Sequence, residues 1–220
     1  MNHSEVSEGR LAGNLVNLLY QIQRLYMHFD KDHIYHIYNR SNETVFYSES
    51  NYLFFIGKVR KLIYPVSDIL AWCLMPNHFH FLICANQESE DFIKESHRPN
   101  VQVLSKNFGT LLSSYTQALN KYIKRRGKLF AHNTKAKLIS QQGNDYIENC
   151  FFYIHQNPLN ARLVKKIENW KYSSFQDYAG ISKESLCNKN LASDLINFDK
   201  ENFIEQSYTV IEEKYLHSFH

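Results

Sequence analysis

The stretch from Ser67 to Asn86, SDILAWCLMPNHFHFLICAN, decides the fold. Two apolar runs, Ile69–Met75 and His78–Ala85, flank the turn dipeptide Pro76-Asn77. A proline-containing break between two strand-length runs reads as a β-hairpin, here in the middle of a sheet. On a strand successive side chains alternate between faces, so His78 and His80 share one face with Leu82 and Cys84, while Phe79, Phe81 and Ile83 share the other. Two imidazoles about 6–7 Å apart at their Cα atoms can converge on one divalent cation. They can equally be a hydrogen-bonded pair of core histidines, and the H-x-H spacing alone leaves both readings open.

Working outward, HIYHIYNR (33–40) alternates Ile34, His36 and Tyr38 with Tyr35, Ile37 and Asn39, the period of a strand. Residues 48–62 return to helical spacing, with Leu53, Phe54 and Leu62 expected in the core and Pro65 as terminator. Residues 86–103 are polar and carry Pro99, and are expected to be a loop. A long helix follows over 103–126, with Leu104, Phe108, Leu111, Leu112, Tyr115, Leu119 and Tyr122 on one stripe and Gly127 as its stop. KAKLIS (135–140) predicts a short strand, and 145–156 a helix ended by Asn157-Pro158. Leu11, Leu15, Leu18, Leu19, Ile22 and Leu25 predict an N-terminal helix. Strands alternate with helices, but the hairpin requires antiparallel pairing, so an α+β sandwich is expected rather than a doubly wound parallel sheet. Three segments follow: an N-terminal helical extension (1–28), a central domain (29–180) and an acidic C-terminal extension (181–220).

Seven Gly and four Pro in 220 residues are too few for a linker-rich or disordered chain. No apolar run approaches the roughly 18–20 residues needed to span a bilayer. The opening MNHSEVSEGR lacks an apolar run after a basic start, which predicts no secretory leader. Cys73, Cys84, Cys150 and Cys187 form no C-x-x-C pair, and free thiols point to a reducing compartment, the cytoplasm. Charge is unevenly spread. Lys121–Lys171 holds eleven Lys and Arg against three acids, while 181–220 holds four Lys against seven acids. A basic middle points to a polyanionic partner or to a solvated basic face.

If the helix over 103–126 packs on the histidine face, the Tyr115 phenol could approach a group held there. On spacing alone Tyr115 reads rather as a core aromatic, and Tyr122, two turns on, is the second candidate. A metal-polarised phosphodiester would favour attack by a tyrosinate.

The fragments YHIYNRSN, AWCLMPNHFHFLI, SSYTQALNKY, GKLF and YIHQNPLNARLVKKIENWKYSSFQDYAG, in this order, resemble the single-tyrosine HUH transposases, closest to the REP-associated tyrosine transposases. The resemblance covers about residues 31–180. It implies a ferredoxin-like antiparallel sheet with helices packed on one face. It implies His78 and His80 as ligands of Mg²⁺ or Mn²⁺, and Tyr115 as the nucleophile forming a 5′-phosphotyrosine on hairpin-bearing single-stranded DNA. The family's third ligand comes from the nucleophile helix. Leu119 stands one turn past Tyr115, and Asn120, the nearest polar candidate, lies about 140° round the helix. Lys121, Lys124, Arg125, Arg126, Lys128 and Lys135 suit phosphate neutralisation, and Asn39 and Arg40 would hold DNA beside the site. These features imply a metal-dependent DNA strand transferase, in some relatives a homodimer. Two readings stand beside it: a domesticated hairpin-binding protein with little or no cleavage, and a metallohydrolase using the His pair with water.

Overall fold

The structure is a computed structural model that describes residues 27–93, 101–130 and 133–219. The expected N-terminal helix falls almost wholly outside the described residues. Four antiparallel strands form one sheet in the order β2-β3-β1-β4: β1 (Ile34–Arg40), β2 (Asp68–Met75), β3 (His78–Cys84) and β4 (Lys135–Leu138). The hairpin forms at Pro76-Asn77 as the sequence predicts, with β3 inside the sheet and β2 at its edge. The α+β class and the antiparallel sheet match expectation. The helices, however, cover both faces rather than one.

One face is packed by α1 (Glu49–Leu62) and α3 (Val103–Tyr122); between the strands lies also the short α2 (Gln87–Glu90), within the expected loop. There Phe79, Phe81, Ile83, Tyr35 and Ile37 meet Phe55 and Val59 of α1 and Leu104, Phe108, Leu111 and Tyr115 of α3. Each fully buried Phe or Leu removes apolar area worth roughly 1.5–3 kcal/mol. On α1 it is Tyr52, Phe55 and Val59, spaced three and four apart, that are buried. Leu53 and Phe54 are 57% and 45% exposed, against expectation. The helix carries apolar residues around more than one face. Its rotation is set by Tyr52, which stacks on Tyr172 at 3.7 Å, and by Phe55, which packs against Phe79.

The other face is packed by α4 (Asn144–Asn160), whose Cys150, Phe151 and Ile154 meet Leu70, Ala71, Cys73, Met75 and Leu82. A β-bulge between Ile69 and Ala71 lets both Leu70 and Ala71 point to this side, while Ile69 and Trp72 point to the first. α4 runs through Pro158 instead of ending before it. Pro158 has no N–H to give to the Ile154 carbonyl, and next to it Asn157 Nδ2 donates to the carbonyl of Tyr153 at 2.8 Å.

The segment after 180 is helical and packs on the second core. After α5 (Phe175–Tyr178), which ends just before it, the segment carries α6 (Lys189–Leu195), α7 (Phe203–Gln206) and α8 (Glu213–Leu216) and buries Ala192, Ile196, Phe203, Ile211 and Phe219 in the second core. Residues 170–188 also close the outer edge of β2. Leu74 N donates to Tyr172 O, Ser174 N to Trp72 O, Asn188 N to Ile69 O, and Trp170 Nε1 to Leu74 O. This pairing leaves the strand no open ladder for another chain. Cys73, Cys84, Cys150 and Cys187 are free thiols, and burial pushes Cys84 up to about 11. His155 lies in this core as a structural residue, hydrogen-bonded to Ser174 Oγ at 2.8 Å. Burial lowers it to about 3, so it stays neutral.

Asp177 is buried where this segment folds back. Burial pushes its carboxyl up to about 6, opposed by hydrogen bonds from Ser185 and Ser182 and by the Lys189 charge. Between about pH 4 and 6 the folded protein keeps this proton while the unfolded chain has released it. Stability therefore falls as pH rises through that window. Asp177→Asn is expected to stabilise the protein at pH 7 by roughly 2–3 kcal/mol at most. In thermal melts that gain should fade near pH 4; an equal gain at both pH values would mean that burial of the charge is not the cause.

Candidate nucleic-acid interface

Strand parity and register build the histidine face. β1 pairs antiparallel with β3, placing Tyr38 opposite His80 and Arg40 opposite His78. β4 pairs with the other side of β1 and sets Lys135 opposite Tyr38 and Lys137 opposite His36. His36 Nε2 and His80 Nδ1 lie 2.9 Å apart, with the two rings stacked at 5.1 Å. Tyr38 stacks on His36 at 4.9 Å, and Tyr153 of α4 meets the His80 ring edge-on at 5.5 Å. His78 turns its ring perpendicular to that of His80, 5.2 Å away, and its Nδ1 contacts Asn77 Oδ1 at 2.7 Å. His36 and His80 are buried and His78 is half-buried. Burial raises the phenols of both Tyr38 and Tyr153 above their ordinary value.

Tyr115 is not part of this group. It is 1% exposed, packs against Phe46 and Phe55 on the opposite side of the sheet, and its hydroxyl donates to Val45 O at 2.6 Å. Burial raises this phenol far above its ordinary value. The physical reason is the same pleat that gathers the histidines. With His78 and His80 on one face, Phe79 and Phe81 define the other, and α3 lays its apolar stripe on the phenylalanines. The sheet therefore separates the expected nucleophile from the expected metal ligands. Tyr122, expected on the same stripe, is 72% exposed.

Asn120 is engaged in the loop after α3. Its Nδ2 donates to Gly127 O at 2.8 Å and its Oδ1 accepts from Arg125 at 3.0 Å, so both ends of its amide hold the loop after α3. The helix stops at Tyr122 rather than at Arg126. Lys124 takes a left-handed φ of 55°, and Arg125 N donates to Asn120 O at 2.8 Å, the six-to-one bond of a Schellman cap. A lysine occupies the place usually given to glycine. Gly127, the expected stop, has a φ of 92° within the loop that follows.

Among the described residues no group of three His, Cys, Asp or Glu is placed to hold a metal ion. His36 directs its Nε2 at His80, and Asn120 is engaged in the loop.

The expected cation set divides in two. Arg125 is a clamp: it donates to both Glu43 carboxylate oxygens, to Asn120 Oδ1, to Gly127 O and to Lys128 O. Asn39, buried on the far pleat from Arg40, donates to Thr134 Oγ1 at 3.0 Å and ties β1 to the segment before β4. Arg40, Lys121, Lys124, Arg126, Lys128 and Lys135 are exposed, and none enters the ion pairs found among the described residues. Lys135 extends over the Tyr38 ring at 5.7 Å.

Most of these cations belong to one end of the sheet. Ser41, just past Arg40, donates its N–H to Asn77 O at 2.8 Å and its hydroxyl to Leu129 O at 2.7 Å. Val45 N and Phe46 N donate to Pro76 O. The end of β1, the β2–β3 turn beside His78 and the loop after α3 are thereby stitched together, and the Arg125–Glu43 pair spans two of them. Sequence reasoning missed His36, Tyr38 and Tyr153. The parity of HIYHIYNR already places His36, Tyr38 and Arg40 on one face; the register with β3 was the absent step.

A four-stranded antiparallel sheet with helices on both faces and a basic end defines the class. In a comparison with solved structures, the chain is similar to a REP-associated tyrosine transposase bound to a REP hairpin. The TM-score is 0.52 and the identity 15%, over 84% of this chain and 96% of that one. This likeness is one of fold. No protein-family model matches the chain. No curated protein matches it. No helix among the described residues is long and apolar enough to cross a membrane.

Proposed function

We propose that the protein binds hairpin-bearing DNA with the basic end of its sheet, as a binding protein built on a tyrosine-transposase-like fold. The observation that carries this reading is that Arg40, Lys124, Arg126, Lys128 and Lys135 are exposed on three separate chain segments tied to the same end of β1. Exposed cations without acidic partners are available to neutralise DNA phosphates, which releases the counterions condensed on the DNA. The neighbour of like fold is bound to a REP hairpin, which favours DNA over other polyanions. Strand transfer through Tyr115 is not part of the proposal, because that phenol lies across the sheet with its hydroxyl committed to Val45.

The test is a binding titration with a labelled DNA hairpin across a range of salt, with and without EDTA. Affinity is expected to fall steeply with salt. EDTA is expected to leave it unchanged, since the phosphate contacts come from side chains. Salt-independent binding, or no binding at low salt, contradicts the proposal. Loss of binding in EDTA would return a divalent cation to the interface, with DNA oxygens completing the donors that His78 and His80 begin.

A further inference from the structure

Tyr122 is the last residue of α3 and the most exposed Tyr, Phe or Trp among the described residues. Among those residues it makes no ring contact, and its hydroxyl no hydrogen bond. Its neighbourhood is nevertheless fixed. The Schellman cap ends the helix directly after it, and the Arg125 guanidinium bonds to Asn120 before it, to Gly127 and Lys128 after it, and to Glu43 of another segment. The loop is thus held by its own hydrogen bonds, leaving Lys121, Lys124, Arg126 and Lys128 exposed around a bare aromatic ring.

A solvated tyrosine on a hydrogen-bonded helix end, interleaved in sequence with cations outside the ion pairs found, has the chemistry of a stacking platform for a nucleobase. A nucleobase in a duplex already has both faces stacked, so only an unpaired one can use it. A peptide aromatic would gain the same ring contact but nothing from four cations, whereas each phosphate flanking a base would. We propose that Tyr122 stacks on an unpaired base of the bound nucleic acid, with the Lys124–Lys128 loop receiving the phosphates on either side. Arg125 and Glu43 are positioning residues for that loop. The inference rests on the DNA-binding reading and adds to it the class of nucleotide recognised, a single-stranded one next to the stem.

Two DNAs separate the outcomes: a stem carrying a single-stranded flank with 2-aminopurine, and a blunt, loopless duplex of the same stem. Tyr122→Ala, at an exposed site, is expected to bind the flanked DNA about tenfold to a hundredfold more weakly. It should bind the blunt duplex as the unsubstituted protein does. Tyr122→Trp should keep the affinity. The 2-aminopurine emission should be quenched by the unsubstituted protein and by Tyr122→Trp, and not by Tyr122→Ala. Equal affinities of Tyr122→Ala and the unsubstituted protein for the flanked DNA overturn the inference while leaving the DNA-binding reading intact. So does an equal loss on both DNAs. If the unsubstituted protein binds neither DNA, the DNA-binding reading itself falls, and the inference with it.

Discussion

Tyr115→Ala is expected to cost roughly 3–5 kcal/mol of stability, because it empties a fully buried ring site between Phe46, Phe54 and Phe55. For a chain of this size that is roughly 10 °C in melting temperature. Tyr115→Phe keeps the ring and removes only the hydrogen bond to Val45 O, so it is expected to cost about 1–2 kcal/mol. The contrast matters because the two roles of a tyrosine separate here. A core residue loses stability with its ring and leaves DNA affinity within about twofold in the Phe variant. A nucleophile would lose chemistry with its hydroxyl. Incubated with flanked hairpin DNA and Mn²⁺, the unsubstituted protein is expected to form no SDS-resistant adduct. An adduct that Tyr115→Phe abolishes would mean that the helix leaves the phenylalanine face and brings its phenol to DNA.

Removing Lys124, Arg126 and Lys128 together, each to Gln, is expected to have the largest effect on binding. If each meets one phosphate, the slope of log affinity against log salt becomes shallower by about three, and affinity at moderate salt falls on the order of a hundredfold. All three side chains are exposed and outside the ion pairs found, so thermal stability should hardly change. Lys183→Gln with Lys200→Gln is the matched control: both are exposed cations in the acidic 181–220 segment. If the control lowers the slope as much per charge removed as the triple variant does, the interaction is diffuse attraction to net charge rather than a localised interface.

Much of the fold is legible in the chain because strand parity is a local property. SDILAWCLMPNHFHFLICAN carries its own turn and its own alternation, and the structure returns both. Which helix covers which face is not local. The spacing that puts Tyr115 on an apolar stripe is equally satisfied by either side of the sheet, and the phenylalanines, not the histidines, offered the larger dry surface. Helix ends misled for a related reason. Pro158 and Gly127 are strong stop signals on their own, but one falls in the last turn of a helix that runs two residues past it, and the other lies beyond a cap already made at Lys124. The 181–219 segment hid its packing in low average hydropathy. Ala192, Ile196, Phe203, Ile211 and Phe219 are spread too widely to show a period, yet all are buried.

The candidate site was half legible for the same reason. The H-x-H pair, Arg40 and the basic run after α3 are visible as residue types in the chain. That Arg125 and Asn39 serve the scaffold, while Lys124, Arg126 and Lys128 remain free of acids, depends on Glu43 and Thr134, which lie 82 and 95 residues away.

The most direct measurement is photo-crosslinking from a hairpin whose stem and flank carry photoreactive bases, with the attached peptides identified by mass spectrometry. The account predicts attachments confined to the end of β1 about Arg40, the turn at Asn77 and His78, and residues 121–135. Attachments falling instead on the α1–α3 face around Phe54 and Tyr115, or on the 181–219 segment alone, would contradict it.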